Sequence, residues 1–114
     1  MYRFGKNRRL LNKKEFDAVF NQPGKTVTPE LVVLHKANNL GYARLGMALS
    51  KKMIPKACER NRLKRLIRES FRTGKLPAVD IIVLARYGVA EAGNRKITSR
   101  LGLTWDKLIA LYAG

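Results

Sequence analysis

One stretch, Arg60–Arg72, constrains the fold more than any other (R-N-R-L-K-R-L-I-R-E-S-F-R). Wound as a helix at about 100° per residue, it puts Leu63, Leu66, Ile67 and Phe71 on one side. Asn61, Lys64, Arg65, Arg68 and Arg72 fall together on another. Such a helix must lie on an apolar core and show the opposite face outward. From Lys51 to Arg72 there are nine Lys or Arg against two Glu, a local balance of +7. A basic run is usually just a solvated face, but a solvated face normally interleaves acids. Only Glu59 and Glu69 do so here, and Glu69 is placed to pair with Arg65 at i,i+4. Arg also suits planar, bidentate phosphate contacts. The pattern therefore favours an RNA- or DNA-binding helix.

The rest of the chain agrees with that direction. It has 114 residues, enough for one domain with a real core. Its formal charge is +16, so it repels itself unless it meets a polyanion. Nucleic acid is the leading partner and an anionic membrane surface a weaker one. No apolar run approaches a membrane span, and no apolar core follows the basic N-terminus as a secretory signal would require. Cys58 is the only cysteine, which excludes an intrachain disulfide and a cysteine-based metal site. A reducing cytoplasm fits. Cys58 is expected to be a small packing residue rather than a nucleophile.

Read in order, residues 1–11 form a basic arm in which Tyr2 and Phe4 are poor core candidates. Asn12 can cap a short helix, Lys13–Phe20, with Glu15 completing a capping box and Leu11 stapled to Phe16. Its apolar face carries Phe16, Val19 and Phe20. Pro23 and Gly24 end it. A short strand near Lys25–Val27 precedes two stronger ones, Leu31–Ala37 and Ala43–Ser50. Asn38-Asn39-Leu40-Gly41 between them predicts an antiparallel hairpin. The basic helix runs from about Lys56 to Thr73, closed by Gly74 and Pro77. Val79–Arg86 is apolar with little alternation, a strand covered on both faces. A last helix, about Asn94 to Tyr112, carries a stripe of Leu101, Trp105, Leu108, Ile109 and Tyr112. The expected fold is a small mostly antiparallel sheet packed with helices, an α+β two-layer domain in the order α-β-β-β-α-β-α. The whole chain, 1–114, is one RNA-binding domain.

Catalytic apparatus is not visible. The acids Glu15, Asp17, Glu30, Glu59, Glu69, Asp80, Glu91 and Asp106 are dispersed, with no D-x-D or E-x-x-H spacing for a metal. His35, the only histidine, is expected to pack or lie on the surface rather than act as a general base. No glycine pattern builds a phosphate loop. Phe16, Phe20 and His35 could line a cleft between helix and sheet where unstacked bases dock. From the residues alone, core packing is the better reading of both Phe.

At R-N-R-L-K-R-L-I-R-E the chain resembles the protein subunit of bacterial ribonuclease P. That family shows a strand ending R-L-G-x-x-x-x-K-K, a short connection, then R-N-R-x-K-R-x-x-R-E. Here the run is Arg44-Leu45-Gly46, Lys51-Lys52, then Arg60-Asn61-Arg62 through Glu69. Glu15-Phe16 through Val19-Phe20 resembles its D/E-F-x-x-V-F, and Ile81-Ile82-Val83 with Ala85-Arg86 resembles its I-I-V-x-A-R. The match spans roughly residues 8 to 112.

The resemblance implies the same element order, with a left-handed β-α-β crossover before the second strand of that unit. It implies a protein that binds a catalytic RNA and the 5′ leader of precursor tRNA. The RNA would hydrolyse the bond joining leader to tRNA, using Mg2+, and leave the mature 5′ end. Arg60, Asn61, Arg62, Lys64, Arg65, Arg68 and Arg72 would face that RNA, with Lys51, Lys52 and Lys56 beside them. Phe16, Phe20 and the position of His35 would line the leader cleft. One copy per RNA, otherwise a monomer, is expected, with no protein-held metal. Pro55 restricts Ile54 and sets the helix start one residue later than the pattern suggests. The competing readings are a ribosomal or other structured-RNA binder with no cleavage role, and an autonomous metal-dependent nuclease.

Overall fold

A computed structural model describes residues 13–113, so the arm, the Asn12 cap and the Leu11 staple lie outside the described residues. The order is α1 (Lys13–Phe20), β1 (Gly24–Val27), β2 (Leu31–Ala37), β3 (Arg44–Ala48), α2 (Ala57–Thr73), β4 (Val79–Ala85), a 3-10 turn at Val89–Glu91, and α3 (Asn94–Tyr112). The expected element order is therefore observed. Helix α2 begins at Ala57, with Lys56 as the N-cap residue, which places Pro55 just outside it.

The sheet differs from expectation in one respect. Its strand order is β1-β2-β4-β3, so β2 and β3 do not form the predicted hairpin. β4 lies between them, antiparallel to β2 and parallel to β3. The reason is burial. β4 is apolar on both faces, so it gains most from the central position, flanked by strands on both sides. The turn chemistry at 38–41 is real but serves a wider loop. The Leu40 N–H donates to Asn38 Oδ1 at 3.0 Å, and the Asn38 N–H donates to the carbonyl of Ala78 beside β4 at 3.0 Å. The parallel β3–β4 pair needs a long crossover, which α2 supplies.

Alternation then divides the molecule. On one face Leu31, Val33, Leu45, Ile81 and Val83 join Leu63, Ile67 and Phe71 of α2 and Ile97, Leu101, Trp105 and Leu108 of α3 in the main core. On the other face Leu34 and Ile82 meet Val19 of α1, with Phe16, Val32 and Leu84 packed against them. Trp105 joins α3 to α2 by donating Nε1–H to Ser70 Oγ at 2.7 Å. The stripe on α3 is rotated from the expected one: Ile97 and Thr104 are buried, whereas Ile109 is exposed. Cys58 also departs from expectation. It is exposed on the first turn of α2 rather than packed.

Asp80, a lone acid in apolar β4, is buried and fully engaged. Arg44 of β3 donates Nε–H to Oδ1 at 2.9 Å and Nη2–H to Oδ2 at 2.7 Å. Asn38 Nδ2–H donates to Oδ1 at 2.7 Å. The free side of the same guanidinium, Nη1, reaches Glu15 Oε2 of α1 at 2.7 Å.

Candidate nucleic-acid interface

The basic face of α2 separates into two populations. Arg60 and Arg62 hold the protein together. Arg60 Nη1 donates to the carbonyls of Ile54 at 2.7 Å and Pro55 at 3.0 Å, fixing the connection into the helix. Arg62 donates to Asn94 Oδ1 at 2.5 Å, to Glu59 Oε2 at 3.0 Å, and to the carbonyls of Ala90 at 3.1 Å and Ala92 at 3.3 Å. It thus ties α2 to the start of α3.

The second population faces solvent. Asn61, Lys64, Arg65, Arg68 and Arg72 line a shallow groove with Glu69. Glu69 pairs with Arg72 at i,i+3 and not with Arg65 as the spacing suggested. Among the described residues Lys64, Arg65 and Arg68 therefore keep all their N–H donors for an external anion. Lys51 and Lys52 stand exposed in the turn after β3, and Lys56 at the N-cap of α2. A rigid helix presenting unneutralised cations at one-turn spacing can take successive phosphates of a nucleic acid backbone.

The second element of the site is the cleft beside α1. Val19 is its only fully buried residue. Phe16 is half-buried, while Phe20 leaves 46% of its surface exposed. Their ring centroids are 6.4 Å apart and the planes are tilted by 31°. The rings form a wall beside a floor of Val32, Leu34 and Leu84, the kind of apolar and aromatic surface on which flat bases stack.

His35 is not part of this cleft. Successive residues of β2 point to opposite faces. Leu34 faces α1, so His35 faces α3, where it is buried and its ring meets Tyr112 edge-on at 5.6 Å. The Tyr112 hydroxyl lies 2.9 Å from Nδ1. On the strand beside it a Cβ at Gly24 would come within 2.3 Å of the imidazole, so only glycine fits there. The carried-over leader role fails on side-chain parity, and Leu34 occupies the place expected of His35. The apolar i, i+1 run in β2 hides this parity. The signal that reveals it is Lys36, two residues beyond Leu34, whose ammonium reaches α1.

Burial lowers the His35 pKa. In the unfolded chain His35 titrates near the ordinary value of about 6.5. Between the folded and unfolded values the unfolded chain binds more protons, so stability rises with pH there. Stability should thus fall as pH drops below about 6.5, with a slope of at most about 1.4 kcal/mol per pH unit from this residue. Thermal melts at pH 7 and pH 5 of the parent and His35→Gln check this. A smaller difference in the variant is expected, and an equal one would remove His35 as the source.

Among the described residues no three His, Cys, Asp or Glu side chains could hold a metal ion together. Glu15 and Asp80 are bound to Arg44, and Glu30 to Arg100 at 2.9 Å. No helix among the described residues is long and apolar enough to cross a membrane.

Known proteins share both the sequence and this geometry. The ribonuclease P family model matches residues 4–109. The ribonuclease P protein component of Legionella pneumophila (strain Corby) is 55% identical over 112 residues, covering 98% of each chain. That of Photorhabdus laumondii is 47% identical over 106 residues, covering 91% of this chain and 89% of its own. The Staphylococcus aureus RNase P protein superimposes with a TM-score of 0.81 at 30% identity, covering 89% of this chain and 96% of its own. The Thermotoga maritima protein gives 0.77 at 30% identity, covering 87% and 96%. A basic helix on a β1-β2-β4-β3 sheet, matched over nearly its whole length, places this chain in the ribonuclease P protein component family.

Proposed function

We propose that the chain is the protein subunit of a ribonuclease P holoenzyme in the cytoplasm and assists RNA-catalysed removal of the 5′ leader from precursor tRNA. The observation that carries this is the outward face of α2, where Lys64, Arg65 and Arg68 have no acidic partner among the described residues. With Asn61, Arg72, Lys51, Lys52 and Lys56 it contacts the catalytic RNA, one copy per RNA, while Arg60 and Arg62 brace the helix. The Phe16–Phe20 wall stacks leader bases. The reaction is hydrolysis of a phosphodiester bond. On this reading Mg2+ is held by RNA phosphates. The polypeptide contributes affinity and charge neutralisation rather than a reacting group.

The test is precursor-tRNA cleavage at low Mg2+ with ribonuclease P RNA from the same source. Cleavage at the leader junction only when RNA and protein are both present is expected. Tight RNA binding without cleavage would favour a structured-RNA binder, and cleavage by the protein alone would reveal a nuclease site. In the reconstituted enzyme, Phe16→Ala and Phe20→Ala should each weaken precursor binding by about 1–3 kcal/mol. Mature tRNA should be little affected. Equal losses for the two RNAs would return both rings to a packing role.

A further inference from the structure

Helix α1 carries the aromatic wall, yet it is held weakly by its own sequence. It has eight residues, fewer than an isolated helix needs in water. It buries one side chain completely and has no basic residue in its last turn to meet its carbonyls. Its exit runs through Gln22 at a φ of 54°, a left-handed conformation that a non-glycine residue adopts at a cost. Two cations from the sheet supply what the helix lacks. At the first turn Arg44, fixed on Asp80, holds Glu15 at 2.7 Å. At the other end Lys36 of β2 donates to the carbonyl of Ala18 at 3.2 Å and to that of Asn21 at 2.9 Å. A cation there satisfies carbonyls left open by the helix and opposes the negative end of its dipole. Phe16 and Phe20 sit between the two attachments.

We propose that Lys36 and the Glu15–Arg44 pair are positioning groups that hold α1 by both ends and so set the distance of the Phe16–Phe20 wall from the sheet. This rests on the leader-binding reading above. Stacking a base between a wall and a floor depends on their separation to a fraction of an ångström. Small residual motion of α1 would therefore weaken leader binding while Val19 keeps the helix docked. Lys36 is the more informative of the two because, among the described residues, its attachment goes to backbone carbonyls alone.

The experiment uses the holoenzyme reconstituted with ribonuclease P RNA. It compares Lys36→Met, Lys36→Arg and Glu15→Gln, each in the parent and in the Phe16→Ala/Phe20→Ala background. Lys36→Met is expected to raise KM for leader-bearing precursor roughly tenfold, with kcat little changed. Lys36→Arg should recover most of the loss, and Glu15→Gln should show a smaller loss of the same kind. In the Phe background Lys36→Met should add nothing, because the wall it positions is gone. A full additional loss there, with the salt dependence reduced by about one contact, would mean that Lys36 touches a phosphate itself, and would overturn the proposal. So would an unchanged KM in Lys36→Met when the Phe variants do lose leader affinity. If the Phe variants lose none, the leader-cleft reading falls first and the proposal with it.

Discussion

Raising salt from about 50 to 200 mM should cut the affinity of this protein for ribonuclease P RNA by three to four decades. The number comes from the exposed cations. Lys64, Arg65, Arg68 and Arg72 line one groove with Glu69, and Lys51, Lys52 and Lys56 stand exposed in the segment that leads into the same helix. If about seven phosphates are neutralised, log K falls with log salt at a slope near −6. Arg60 and Arg62 are left out of the count because their donors bind main-chain carbonyls and Asn94 within the protein. Arg65→Ala and Arg68→Ala should each make the slope shallower by about one, and both variants should melt like the parent. Arg62→Ala should behave differently and lower stability, because the loop at 90–94 loses its tie to α2. Filter-binding or fluorescence titrations at four salt concentrations suffice. A nearly flat profile would remove α2 from the RNA interface.

Asp80→Ala should destabilise the fold by about 3–5 kcal/mol. The carboxylate takes two hydrogen bonds from Arg44 and one from Asn38. Hydrogen bonding to Asp80 is the largest influence holding the Arg44 guanidinium above its ordinary pKa, so Arg44 remains charged in every accessible condition. Removing the acid leaves that charge partly buried beside Glu15, and takes from the Asn38 amide one of its two acceptors, the Tyr42 carbonyl at 3.2 Å being the other. Deleting one member of a buried pair costs more than the pair itself contributes. For a domain of this size the change corresponds to a fall in Tm of roughly 10–30 °C. Thermal melts of Asp80→Ala and of Arg44→Met/Asp80→Ala separate the two effects. The double variant should recover part of the loss, and a double variant worse than the single would mean that the charge left behind is not the cause.

The elements could be read because each carried its own periodic or turn signal. Residues 60–72 have helical spacing, Pro55 and Gly74 bound α2, and the continuous apolar run of β4 announced burial on both faces. Strand pairing could not be read in the same way. Asn38–Gly41 is competent turn chemistry for a hairpin, and only the competition for the centre of the sheet decides that β4 separates β2 from β3. The cation side of the interface was legible as a set. Its division into bracing and free members was not, since Arg60 and Arg62 differ from Arg65 and Arg68 only in what other segments bring near them. His35 shows the same limit at the level of one residue. Within the run Val32–His35 nothing local distinguishes the two faces, so a shift of one position exchanges cleft for core. Asp80 in a strand of apolar neighbours was the clearest local hint of the Arg44 network.

The place of β4 also sets the order in which the molecule can assemble. Among the described strands it is the last to be synthesised, and it is one of the two inner strands of the sheet, paired on both sides. Until residues 79–85 leave the ribosome, β1 and β2 can pair only with each other and β3 has no partner. Helix α2 is complete well before that, with its apolar side uncovered and its full charge exposed. The growing chain is thus a polycation before it is a folded protein, and closing the sheet is a long-range event that retards folding. Ribosomal and messenger RNA surround it throughout that interval, so the same charge that serves the finished protein makes unfolded intermediates prone to hold the wrong RNA.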